Sequence, residues 1–241
     1  MIDLHNIDCM EYLATCEDNA FELAIVDPPY GYGNIIYMPK QRVEAYGGHF
    51  DKYDIMVGVI DSNQRSTSKV QVVHAQTSKE TINSFAENNV SPPPEYFSEL
   101  FRVSKNQIIW GGNYFLLPPS RGFVIWQKPT VSEKFTMAMA EYAWLSIDAN
   151  SKIFSAAPQG TRKDPRIHPT QKPVKLYEWL LMNYAKEGDR ILDTHLGSGS
   201  IAIACHNLGF DLVGCELDTD YFNAAQKRLQ QHQSQLRIPM Q

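Results

Sequence analysis

The 241-residue sequence has little cysteine, no long apolar run and no excess of basic charge. Its four cysteines, Cys9, Cys16, Cys205 and Cys215, are too scattered for a disulfide framework, and none forms the C-x-x-C pair of a zinc site. All four are read as reduced. No apolar stretch approaches the roughly 20 residues that span a bilayer, and Met1 to Tyr30 holds neither Lys nor Arg to open a signal peptide. A cytoplasmic protein with no membrane partner is expected. The net charge of −5, from 22 basic and 27 acidic residues, argues against a protein that coats nucleic acid nonspecifically. With 43% hydrophobic and 20% charged residues and a mean hydropathy of −0.34, the disordered, collagenous and coiled-coil classes are excluded too. What is left is an α/β domain, or one α/β domain with a large insertion.

Charge is uneven along the chain. Between Ser155 and Lys175 five basic residues (Arg162, Lys163, Arg166, Lys172, Lys175) face one acid, Asp164, so an anionic partner should be met there. Glu22 to Val26 reads as a buried strand stopped by Asp27-Pro28-Pro29-Tyr30, because two prolines cannot continue a central ladder. From Gly31 to about Val90 the sequence is polar, balanced in charge and without sustained period, which suggests a partly mobile insertion. Pro92 to Val103 reads as a helix, Gln107 to Trp110, Gly122 to Trp126 and Glu141 to Ile147 as strands, and Pro173 to Lys186 as a helix stopped at Gly188.

The last third is the most organised. Arg190 to Asp193 is a strand, Gly197-Ser198-Gly199 a tight loop, Ser200 to Leu208 a helix, Leu212 to Cys215 a strand ending in Glu216, and Asp218 starts another helix. A strand, a Gly-x-Gly turn and a helix start let backbone approach a ligand closely. Glu216 follows Asp193 by 23 positions, the separation expected when an acid on the next strand tip holds ribose hydroxyls, so the unit points to an adenosine-containing cofactor. Gly197-x-Gly199-x-x-Ala202 also matches a loosened dinucleotide fingerprint. A dinucleotide fold begins with this unit, however, and only about 30 residues follow it here, so the other strands must come from the N-terminal part, in permuted order. Asp27-Pro28-Pro29-Tyr30 then puts a carboxylate, a bare carbonyl and an aromatic face at the ligand crevice, a set suited to a planar ring bearing an amine. The bland alternative is a strand-ending turn.

Taken together and in this order, Asp27-Pro28-Pro29-Tyr30, His168-Pro169-Thr170-Gln171-Lys172-Pro173 and Asp193-Thr194-His195-Leu196-Gly197-Ser198-Gly199-Ser200 resemble the β-class amino DNA methyltransferases. The match covers roughly Ile2 to Tyr30 and Pro92 to Leu229. The resemblance implies a Rossmann-like α/β fold with a mixed, mostly parallel seven-stranded sheet and helices on both faces. It implies S-adenosylmethionine as cofactor, with Gly197, Ser198 and Gly199 cradling its methionine end, Glu216 its ribose and Asp8 its adenine. Asp27, His168, Thr170, Lys172, Asp193, His195 and Leu217 complete the implied cofactor site, and Asp27, Pro28, Pro29 and Tyr30 form the implied catalytic set. The Asp-Pro-Pro-Tyr form looks like adenine N6 specificity, since cytosine N4 relatives usually carry Ser in place of Asp.

The loop departs from the family pattern at Thr194, His195 and Ser200, where Pro, Phe and Thr are usual. His195 either weakens cofactor packing or adds a hydrogen bond. One catalytic domain over residues 1–241 is expected, with 31–91 as an inserted target-recognition region and Arg162, Lys163, Arg166 and Lys175 clamping DNA phosphates. The expected activity is site-specific adenine N6 methylation, beside a cognate restriction enzyme or alone as in phage and prophage genomes, and homodimers are common in the family. Cytosine N4 methylation, an inactive cofactor-binding DNA-recognition subunit, methylation of a protein glutamine, and dinucleotide oxidoreduction are the alternatives. Trp110, Tyr114 and Phe115 are expected in the core, and His49, His74 and His206 show no metal-like spacing.

Overall fold

The apolar strands send successive side chains to opposite faces, and both faces are buried. On β2 (Phe21–Val26), Leu23 and Ile25 join one cluster while Ala24 and Val26 join another. On β10 (Arg190–Asp193) Ile191 and Leu192 divide in the same way, as do Leu212 and Val213 on β11 (Asp211–Glu216). The computed structural model describes residues 1–31, 90–134, 138–158 and 165–234, and the backbone of three short strands between residues 35 and 74.

Among the described residues, four helices close the two faces. α1 (Cys9–Ala14) and α2 (Pro94–Val103) cover one with Leu13, Tyr96, Leu100 and Val103, and α3 (Val174–Tyr184) and α4 (Ser200–Leu208) cover the other with Leu176, Leu180 and Ile201. A fifth helix, α5 (Thr219–Gln233), adds Ala225 and Leu229 to the second cluster. Its start is capped by Asp218, which accepts the N–H groups of Asp220 and Tyr221. Among the described residues no helix is long and apolar enough to cross a membrane.

The main sheet has eight strands. With β1 (Ile2–Asn6), β6 (Ser104–Trp110), β7 (Phe123–Gln127), β8 (Ala140–Leu145) and β9 (Lys152–Ser155), the order is β1-β11-β10-β2-β6-β8-β7-β9. Only β8 runs against its neighbours, so the sheet is mixed and mostly parallel. The expected count of seven is one short. Lys152–Ser155 pairs parallel to β7 and fills the short gap between β8 and His168, where no strand is legible in four residues of mixed polarity. β1 and α1 are likewise not anticipated, because Ile2–Asn6 is half polar and α1 is a six-residue turn held by its Asp8 cap.

The chain divides into two units. Met1–Pro28, Pro93–Ser132 and Met139–Gln241 form the first. Pro29–Pro92 with Glu133–Ala138 form the second, which contains an antiparallel sheet of β3 (Ile35–Tyr37), β4 (Asp54–Val59) and β5 (Gln71–His74).

Candidate active site

Neighbouring strands leave β10 in opposite directions through the chain. From β10 the sequence crosses to β11 on one side, and from β2 to β6 on the other, so β10 and β2 flank a topological switch point. Ligands of open α/β sheets bind at the carboxyl ends of such strands. Register sets what is there. Leu192 pairs with Ala24 and Asp193 with Gly214, which carries Asp193, Asp27 and Glu216 to the same edge of the sheet.

The cofactor loop is built around Glu216. Its Oε2 accepts the Gly197 N–H at 2.7 Å and its Oε1 the Asp218 N–H at 2.9 Å. Burial pushes this carboxyl up, against the pull of those two donors. Each carboxylate oxygen keeps acceptor capacity beyond one N–H, which fits a ribose diol. Gly197 and Gly199 lie at φ +51° and +69°, in the left-handed region that favours glycine. Gly199 is the N-cap of α4 and no side chain caps that turn, so the first-turn N–H groups suit an anionic carboxylate. On these counts the residues fit S-adenosylmethionine.

Three residues outside the glycines hold the loop. Arg228 of α5 is buried and donates from Nη1 to the Ser198 carbonyl at 2.7 Å and to Ser200 Oγ at 2.9 Å. Ser200 in turn donates to the Lys172 carbonyl at 2.7 Å, tying the glycine loop to the His168–Pro173 segment. His168 packs its ring against Tyr221, centroids 4.3 Å apart, and a Cβ on Gly197 would sit 3.6 Å from the His168 ring. Its Nδ1 lies 3.0 Å from Thr170 Oγ1, and burial first, then Lys172, depress its pKa to about 4.

The unusual loop residues form a connected set. Tyr96 Oη is 2.6 Å from Thr194 Oγ1, which is 2.9 Å from His195 Nδ1, and the Tyr96 and His195 rings meet edge to face at 5.4 Å. Thr194 and His195 thus replace Pro and Phe as a pair, the hydroxyl supplying the ring its partner. Burial pulls His195 down to about 4, so the imidazole is neutral at pH 7 and places no cation at the loop. Asp193 is buried and its Oδ1 accepts the His195 N–H at 3.0 Å. Burial, followed by the charges of Asp27 and Glu216, pushes the Asp193 carboxyl up to about 8.

Asp27 sits within a chain of charges. Its Oδ2 meets the Lys172 ammonium, which also lies 3.2 Å from Glu141 Oε2 and 5.2 Å over the Trp110 ring. Glu141 Oε1 in turn takes the ammonium of Lys128, which stacks 4.6 Å over Trp126. Lys172 and Lys128 are 3% and 5% exposed. Burial alone would depress the Lys172 ammonium, but Asp27 and Glu141 outweigh it and hold the pKa above the ordinary value. Burial raises Glu141, and the two lysines more than reverse that.

Of the remaining sequence candidates, Asp8 caps α1 through the Met10 N–H at 2.7 Å, Pro28 is buried and Leu217 is 64% exposed. Pro29 and Tyr30 belong to the second unit. Arg166 and Lys175 are exposed; Arg162 and Lys163, and nearly all of the span 31–91, lie outside the described residues. His49 and the side chain of His74 lie there too. Trp110 is core as expected, whereas Tyr114 is 49% exposed. Cys205 and Cys215 are buried with thiols pushed well up by burial. Sequence reasoning missed Lys128, Glu141 and Arg228. The only available signal was an acid opening the Ala140–Leu145 strand and a lysine closing its neighbour, which antiparallel pairing of Trp126 with Glu141 brings together.

Comparison with known proteins agrees with this geometry. The N6/N4 DNA methylase family model matches residues 21–227. The chain is 22% identical to the type II methyltransferase M2.MboI of Moraxella bovis, over 94% of this chain and 86% of that one. It is 25% identical to the type II methyltransferase M2.DpnII of Streptococcus pneumoniae, over 95% and 90%. Among solved structures, the Thermus thermophilus protein TTHA0409 complexed with S-adenosylmethionine aligns with a TM-score of 0.50 at 17% identity, covering 98% of each chain, and so shares the fold. The chain therefore belongs to the N6/N4 family of DNA methylases and is a DNA methyltransferase with S-adenosylmethionine as its methyl donor.

Proposed function

We propose that the protein is a site-specific adenine N6 methyltransferase. The observation that carries this reading is a carboxylate, Asp27, paired with the Lys172 ammonium at the carboxyl end of β2, beside the glycine loop. An exocyclic amine is a poor nucleophile because its lone pair is delocalised into the ring. Asp27 and the Pro28 carbonyl accept its two hydrogens, which favours a pyramidal nitrogen with its lone pair directed at the methyl carbon. When bound, S-adenosylmethionine supplies a methyl activated by its sulfonium sulfur. A nitrogen–carbon bond forms as the carbon–sulfur bond breaks, and the nitrogen then sheds one proton to Asp27 or water. The residues' main contribution is orientation, with reacting atoms held about 3 to 3.5 Å apart.

A base inside a duplex cannot reach such a crevice, so the target is flipped out at a cost of a few kcal/mol. Stacking on Tyr30 offsets about 1 to 3 kcal/mol of it. Residues 31–91 read the target, and Arg162, Lys163, Arg166 and Lys175 hold phosphates. The choice of adenine rests on Asp27 standing where cytosine N4 relatives usually carry Ser. The test is incubation with tritiated S-adenosylmethionine and unmethylated genomic DNA, followed by nucleoside analysis. Labelled N6-methyladenosine is expected; labelled N4-methylcytosine would keep the site and overturn the base.

A further inference from the structure

Three further charged side chains are linked in series to the reacting carboxylate of Asp27. β2 and β6 bring Asp27 beside Trp110, β8 carries Glu141, Lys128 follows β7, and Lys172 enters from the loop before α3. The signs alternate along the chain, Asp27, Lys172, Glu141, Lys128, and the two cations each lie over an indole face. We propose that Lys172, held in place by Glu141 and Lys128, is a positioning residue that sets the orientation of the Asp27 carboxylate toward the acceptor amine.

The bland alternative is a structural ion-pair cluster. Buried pairs are poor stabilisers, because desolvation consumes most of the Coulombic gain and apolar replacements of similar shape are often neutral or better. A chain of four charges next to the site is therefore not explained by stability. Its effect is geometric: Lys172 engages Oδ2, which fixes rotation of the carboxylate and hence the direction of its other oxygen. Lys172 is itself over-determined, by two carboxylates and the Trp110 face. Because it remains an ammonium, it acts as a counter-charge and not as a base.

The inference rests on the reading that Asp27 receives the amine, so its test has two parts. The first needs no activity: a urea-unfolding double-mutant cycle of Asp27→Asn and Lys172→Met. The double variant should unfold at a higher urea concentration than the two single effects predict when added; strict additivity would show that the pair is not coupled. The second measures single-turnover methyl transfer and, by calorimetry, cofactor Kd. Lys172→Met should slow transfer about 100-fold, the effect of misplacing a reacting group by about 1 Å, with Kd for S-adenosylmethionine changed less than about threefold. Glu141→Gln keeps the shape of its side chain, carries the test should Lys172→Met fail to fold, and should slow transfer about 10-fold at unchanged Kd. Kd weakening in step with the rate would make Lys172 a cofactor-holding residue and overturn the proposal, as would an unchanged rate. A wild-type protein that labels no DNA would refute the proposed function, while the unfolding cycle would still report on the pair.

Discussion

Replacing His195 by phenylalanine should flatten the acid side of the stability curve. In the folded protein burial holds this imidazole at about 4, against an ordinary 6.5. A depressed folded value means that the unfolded chain binds the proton more readily. The contribution is thus intact above pH 6.5, is lost as pH falls, and is exhausted below about 4. Integrating between these limits, His195 removes about 2.5 kcal/mol of stability between pH 7.5 and pH 4.5. His195→Phe removes that loss but also the hydrogen bond to Thr194 Oγ1, a cost of about 1 kcal/mol at any pH. His168 adds a similar acid loss, and Asp193 opposes both, so the variant must be compared with wild type and not read alone. Urea unfolding at the two pH values provides the assay. The stability difference between variant and wild type should move by about 2.5 kcal/mol in favour of the variant at low pH. An identical difference at both pH values would refute the reasoning, because the ring would then titrate as it does in the unfolded chain.

Other consequences follow from the same site. The Asp193 carboxyl is raised from 3.8 to about 8, so its stability contribution is lost as pH rises between those values; Asp193→Asn should abolish this loss in urea unfolding while keeping an acceptor for the His195 N–H. Arg228→Met strips the Ser198 carbonyl and Ser200 hydroxyl of a charged donor and should cost about 2 to 3 kcal/mol of stability and weaken cofactor affinity by calorimetry. In Gly199→Ala the new Cβ would stand 3.1 Å from Ala225 Cβ at a φ of +69°; adding Ala225→Gly should restore the steric part of the lost unfolding midpoint and leave about 1 to 2 kcal/mol of backbone cost.

Much of this architecture was legible where local chemistry is decisive. Asp193, the glycine turn, Ser200–Leu208 with its Gly209 stop, and the Asp218 cap all announce themselves within a few residues. The apolar run Glu22–Val26 marked a central strand, observed as Phe21–Val26, because both faces are buried. What escaped was set by pairing alone. Ile2–Asn6 becomes a strand only against Leu212–Glu216, and Lys152–Ser155 only against Val124–Gln127. The charge chain escaped for the same reason: nothing within ten residues of Lys128, Glu141 or Lys172 identifies its partner, and only strand register does.

The strand order also dictates when the site can exist during synthesis. β1 waits for β11 and one edge of β2 waits for β10, partners some 165 to 210 residues later in the chain. Until Arg190–Glu216 has left the ribosome, two N-terminal strands expose unpaired edges. The crevice between β2 and β10 closes only once β10 is available, so a nascent chain lacking that segment has neither a cofactor loop nor a wall for Asp27, and folding is governed by long-range closure. Catalytic competence in this protein is a property of the finished chain.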